Sequence, residues 1–216
     1  MPDSVRSKLD DAMGTALAWL HGRGLSLRQP RSNPRRRIPI LSFHRVSKLH
    51  ADHYMTISPE IFERLMRAVQ RRYRIVSLAE VDRLLAAGED VEPTTAVAFD
   101  DAYGCNHTFA LPVLRKLGIP ATFFVSSEFV DSETPFPHDL ARGHADLPHF
   151  TSAQLRDLAS DSRFEVGSHS VTHIDFAKNP PAETIVRELA ESRRALAAIT
   201  GQPVRRFAVP FGGRAQ

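Results

Sequence analysis

Cysteine is nearly absent from this 216-residue chain: Cys105 stands alone. It has no intrachain partner, so no disulfide framework holds the fold, and a zinc cluster built on thiolates is excluded. Any metal centre must then be made of histidines and carboxylates. Long hydrophobic runs are also missing. A quarter of the residues are charged and nowhere do eighteen apolar residues run together, which excludes a membrane-spanning helix and argues against wholesale disorder. Charge of one sign is scarce too, with 28 basic against 25 acidic residues. The basic excess is mostly arginine and lies before residue 75, so it reports local clusters more than a uniformly basic surface.

Val5, Leu9, Met13, Leu17 and Leu20 recur at spacings of three and four, which predicts an amphipathic surface helix over Ser4 to His21. Asp10 and Asp11 precede its apolar segment and no small-residue cleavage site follows. It does not read as a signal peptide, and the expected location is cytoplasmic. Gly22 to Arg37 has the composition of a linker and ends in Arg35-Arg36-Arg37. A weak contact of this N-terminal region with an anionic membrane surface stays open. Nucleic-acid binding is not expected, because no aromatic or helical recognition surface accompanies the arginines. Residues 1–37 are thus set apart from a domain over 38–216.

From Ile38 short apolar runs alternate with amphipathic stretches. Strands are expected at Ile38–Phe43, Ala96–Phe99, Ala121–Val125, Phe164–Gly167 and Phe207–Val209. Helices are expected over Pro59–Arg72 after Ser58, Leu78–Ala87 after Ser77, Ser152–Ala159 after Thr151, and Ala182–Thr200 before Gly201. Pro135 to Pro148 reads as a long loop. This order predicts an α/β fold with a parallel sheet, doubly wound or closed into a barrel.

Residues suited to chemistry fall at the ends of these strands. His44 follows the first, Asp100 and Asp101 the second, and His169 the fourth. In parallel α/β folds ligands gather at the carboxyl ends of strands. His169-Ser170-Val171-Thr172-His173 spaces two imidazoles four apart, which on a helical turn would place both on one face. Either aspartate could join them in a three-ligand metal site while the other accepts a proton from water. The competing reading has Asp101 capping the helix near Phe109 to Leu117 or pairing with an arginine. Cys105 reads as a small packed side chain.

Ala98-Phe99-Asp100-Asp101-Ala102-Tyr103 resembles the first signature of the polysaccharide deacetylases, the chitooligosaccharide deacetylase homology domain, and His169 to His173 resembles the second. Leu111-Pro112-Val113-Leu114, Gly118 to Val125, Ile40 to Val46 and Val209-Pro210-Phe211-Gly212 are similar to further family segments in the same order. The resemblance implies a distorted (β/α) barrel and hydrolysis of N-acetyl or O-acetyl groups on a glycan. It further implies zinc or another divalent ion held by Asp101, His169 and His173, with Asp100 as general base. Pro210, Phe211 and Gly212 would line the acetate pocket, the Phe211 N–H facing the oxyanion. His44 would touch substrate or make a structural hydrogen bond, both readings remaining open. Ala208 stands where many members carry an arginine that pairs with the base, a role Arg205 or Arg206 would have to take. The family's last signatures, including a Leu-x-His that supplies an acid, would lie beyond Gln216. A barrel incomplete at its C-terminus is therefore expected, with His138, His144 or His149 as candidates for the empty space. The other reading is a non-catalytic remnant that binds a carbohydrate or a partner.

Overall fold

The computed structural model describes residues 38–87 and 93–212. The expected N-terminal helix, the arginine linker and their membrane contact lie outside the described residues. The chain alternates strands and helices: β1 (Ile40–Phe43), β2 (Arg45–Val46), β3 (Thr56–Ile57), α1 (Pro59–Gln70), β4 (Arg74–Ile75), α2 (Leu78–Ala87), β5 (Thr94–Phe99), α3 (Leu111–Leu117), β6 (Ala121–Val125), α4 (Pro137–Leu140), α5 (Ser152–Ala159), β7 (Phe164–Ser168) and α6 (Ala182–Thr200). Every pairing of the main sheet is parallel. Its order is β1-β5-β6-β7, with β4 pairing the opening residues of β5.

Alternation along the strands explains why both faces of the sheet are covered. Val97 and Phe99 of β5 join one apolar cluster together with Ala121, Phe123 and Val125 of β6 and Phe164 and Val166 of β7. Ala96, Ala98 and Phe124 point the other way and meet Val76, Leu78 and Val81. Phe99 and Phe123 stack at 4.7 Å across neighbouring strands. Helix starts follow the capping residues: the Ser58 hydroxyl accepts the Ile61 N–H, and Thr151 with Gln154 forms a reciprocal capping box. α6 ends where Gly201 takes a left-handed conformation, φ 67°.

Two sequence expectations need correction. Phe207–Val209 is not a full strand, since only Phe207 forms a parallel bridge, to Ser168 at the end of β7. Pro135–Pro148 is not simply a loop, because Pro137 opens the short helix α4. Among the described residues no helix is long and apolar enough to cross a membrane.

Gly104 fixes how the end of this loop seats against the turn that follows β5. A Cβ there would lie 2.5 Å from the His149 carbonyl oxygen, and the Gly104 N–H donates to the Pro148 carbonyl at 2.8 Å. Backbone cannot swing aside as a flexible side chain can. Gly104→Ala is expected to lower unfolding stability by about 1–3 kcal/mol, the usual range for overpacking. Urea denaturation measures this, and an unchanged midpoint would contradict the close seating.

Candidate active site

β1, β5, β7 and the Phe207 bridge deliver their carboxyl ends to one cavity of about 430 Å³, whose lining includes His44, Asp100, Asp101, His169, His173 and Phe211. Asp101 is buried and takes φ 74°, a left-handed conformation that costs a non-glycine residue about 1–3 kcal/mol. Its carbonyl accepts the Ser126 N–H from the end of β6, at 3.3 Å. Its Oδ1 lies 3.0 Å from His173 Nε2 and 3.6 Å from His169 Nε2. One ligand atom from each of these three residues lies within 4.8 Å of the others.

The histidine pair does not sit on a helical turn. Ser170 and His173 are left-handed, φ 68° and 58°, and these kinks fold the segment so that the two rings stand 5.0 Å apart. Buried Glu188 of α6 shapes the fold-back. Its carboxylate accepts the Val171 N–H at 2.8 Å, the Thr172 N–H at 2.9 Å and the Thr172 hydroxyl at 3.0 Å. At the other end Ser126 Oγ–H donates to the His169 carbonyl.

Electrostatics fit a cation. His169 Nδ1 lies 2.9 Å from the Ala208 carbonyl oxygen, which can only accept, so Nδ1 carries the proton and Nε2 turns a lone pair toward Asp101. Burial holds the His169 pKa below the ordinary imidazole range despite the pull of Asp101 and Asp100. Burial by itself would raise the Asp101 pKa. The His173 hydrogen bond and the His44, His173 and His169 imidazoles outweigh it and hold the carboxyl below its usual range. Asp101 Oδ2 is buried with no hydrogen-bond partner. A buried carboxylate with two imidazole nitrogens near one oxygen and its other oxygen bare is a donor set suited to a divalent ion. Among the described residues Asp101 neither caps a helix nor pairs with an arginine.

Asp100 stands at the cavity wall, half-buried, and its Oδ2 accepts the Ser42 hydroxyl at 2.7 Å. Among the described residues no arginine pairs with Asp100. Arg206 instead pairs with Glu165 and Asp82, each at 2.8 Å. Phe211 and Gly212 line the cavity, both left-handed, whereas Pro210 is buried and does not line it. The His44 imidazole lines the cavity, while its backbone carbonyl accepts Asn106 Nδ2–H at 2.7 Å. Of the three loop histidines only His138 reaches the cavity. His149 Nδ1 meets the Ser132 carbonyl, and His144 stacks on His50 at 3.9 Å. Burial pushes the Cys105 thiol up to about 12, as suits a packed side chain. Ser42, Tyr54, Arg142 and Glu188 are site residues that motif reading missed. Only Ser42, a polar residue inside the apolar run of β1, left a trace in the sequence.

The family model for polysaccharide deacetylase matches residues 87–216, more than half of the chain, and the chain belongs to that family. YxkH of Bacillus subtilis (strain 168), named for the same family, is 24% identical over 180 residues, which cover 82% of this chain and 57% of YxkH. The chain therefore spans little more than half the length of that relative. Among solved structures, IcaB from Ammonifex degensii has a TM-score of 0.70 at 22% identity, covering 82% of this chain and 75% of IcaB. The Streptococcus pyogenes deacetylase PplD, solved in complex with acetate, has a TM-score of 0.66 at 21% identity, covering 80% of this chain and 73% of PplD. The fold is that of these deacetylases.

Replacing Glu188 with Leu removes one acceptor from three donors at once. Two of them are backbone N–H groups whose loss of partner costs about 1–3 kcal/mol each where water cannot reach. Glu188→Leu is expected to destabilise the fold by about 2–4 kcal/mol in chemical denaturation. Full retention of stability would show that the 169–173 segment holds its shape without α6.

Proposed function

We propose that this chain is a metal-dependent hydrolase that removes N-acetyl, or O-acetyl, groups from a carbohydrate polymer or oligosaccharide, acting on carbon–nitrogen bonds other than peptide bonds. The observation that carries this reading is the meeting of a half-buried carboxylate, Asp100, with the Asp101, His169 and His173 donor set in one cavity. Family membership and the acetate bound to PplD support it.

Asp101, His169 and His173 would hold zinc or a similar divalent ion, since the bare Asp101 Oδ2 and the His169 lone pair fit one. When bound, such an ion supplies positive charge that polarises an acetyl carbonyl and makes nearby water more acidic. The rest falls to the chain itself. Asp100 acts as general base, its Oδ2 fixed by Ser42 and its other oxygen left to take a proton from the attacking water. The Phe211 N–H, as the family resemblance implies, donates toward the developing oxyanion from a residue that lines the cavity. His44 contacts the sugar from the end of β1. Water oxygen bonds to the acetyl carbon as the carbon–nitrogen (or carbon–oxygen) bond breaks. The proton held by Asp100 is the one the leaving atom needs, so the balance closes on water alone.

Acetate release from an N-acetylglucosamine oligomer with zinc added tests the reading. Asp100→Asn is expected to lower the rate at least ~100-fold, the usual minimum for loss of a general base. Glycan binding with no acetate release by the intact chain would favour a carbohydrate-binding remnant. An Asp100→Asn variant with unchanged rate would remove Asp100 from the mechanism.

A further inference from the structure

Two segments that no signature covers make one wall of the cavity, contributing Tyr54 and Arg142. They are bound to each other. Fully buried Arg45 pairs with Asp139 of α4 at 3.1 Å and reaches His53 Nδ1 at 2.7 Å. The other Asp139 oxygen accepts the Tyr103 hydroxyl. At the surface His50 Nε2 meets Asp146 at 2.6 Å. A wall tied from both sides presents its side chains without much ordering cost on binding.

Arg142 stands out among the charges of this cavity. Its Nη1 donates to the His138 carbonyl at 3.0 Å and its guanidinium lies 5.8 Å from the centre of the Tyr54 ring. Among the described residues no carboxylate pairs with it. The other permanent charges of the lining, Asp100 and Asp101, are negative, so a ligand carboxylate finds its matching cation at Arg142. Tyr54 is 58% exposed, a large aromatic surface at the cavity edge. An aromatic ring packs on the apolar face of a pyranose, and a guanidinium binds carboxylate in a fork of two hydrogen bonds.

We propose that Tyr54 and Arg142 form a sugar subsite that selects an acidic glycan, Tyr54 packing against a pyranose ring and Arg142 binding its carboxylate. This rests on the deacetylase reading above and names the substrate class for that site: an N-acetylated oligosaccharide in which neighbouring sugars carry carboxylates. Arg142 is a specificity residue, and the proton transfers do not involve it.

The test measures both binding and acetate release with three oligomers of equal length: neutral N-acetylglucosamine, N-acetylglucosamine alternating with glucuronic acid, and N-acetylglucosamine alternating with a lactyl-substituted sugar. Binding is measured by calorimetry on the Asp100→Asn chain, and release on the intact chain with zinc. At least one acidic oligomer is expected to bind about tenfold more tightly than the neutral one, with the advantage shrinking as salt rises. Whichever acidic oligomer shows the advantage identifies the carboxylate's source. Arg142→Gln is expected to erase that preference, and Arg142→Lys to restore part of it. Equal binding of all three oligomers, or a preference that survives Arg142→Gln, overturns the subsite while acetate release keeps the deacetylase reading standing. If no oligomer binds and none releases acetate, both fall together.

Discussion

A buried carboxylate must find positive charge, and the Asp101 side chain is where this fold meets that requirement. Leaving an ionised acid in an apolar interior without a partner costs several kcal/mol. Asp101 is buried at the end of a strand whose six residues are all buried, and its neighbours are imidazoles rather than arginines. Imidazole can answer a carboxylate by carrying a proton or by sharing a cation with it. With His169 Nδ1 committed to the Ala208 carbonyl, the second answer fits the site better. Left-handed backbone at Asp101, Ser170 and His173 is the conformational cost of bringing the three groups together.

The scaffold supports that cost from several directions. Parallel strands end at one edge, so residues distant in sequence arrive side by side without long loops. Glu188 gathers the donors of the 169–173 segment, and Ser126 holds both the Asp101 and His169 ends through the close of β6. Ser42, reaching from β1, orients Asp100. Each support comes from a regular element or its boundary, which keeps the groups fixed before any substrate arrives.

Much of this was legible because it depends on local rules. Apolar runs marked β5, β6 and β7, hydroxyl caps marked the starts of α1 and α5, and Gly201 marked the end of α6. Adjacent aspartates after a buried strand and two histidines four apart pointed to the site. The mechanism that joins the histidines was not legible, since a four-residue spacing on its own suggests a helix and only Glu188 and the left-handed residues produce the observed fold-back. Arg206 was equally misleading. Arg205 or Arg206, though displaced in sequence, was the expected partner for Asp100, yet Arg206 pairs with Glu165 and Asp82 and the Ser42 hydroxyl donates to Asp100. Tyr54 and Arg142 left no trace, because the wall that carries them depends on the long-range Arg45–Asp139 pair.

Zinc titration of the purified chain followed by calorimetry addresses the proposed metal centre most directly. The intact chain is expected to bind one equivalent, and the His169→Ala, His173→Ala variant, folded by circular dichroism, to lose at least ~100-fold in affinity. Undiminished zinc binding by that variant would contradict a centre made of Asp101, His169 and His173.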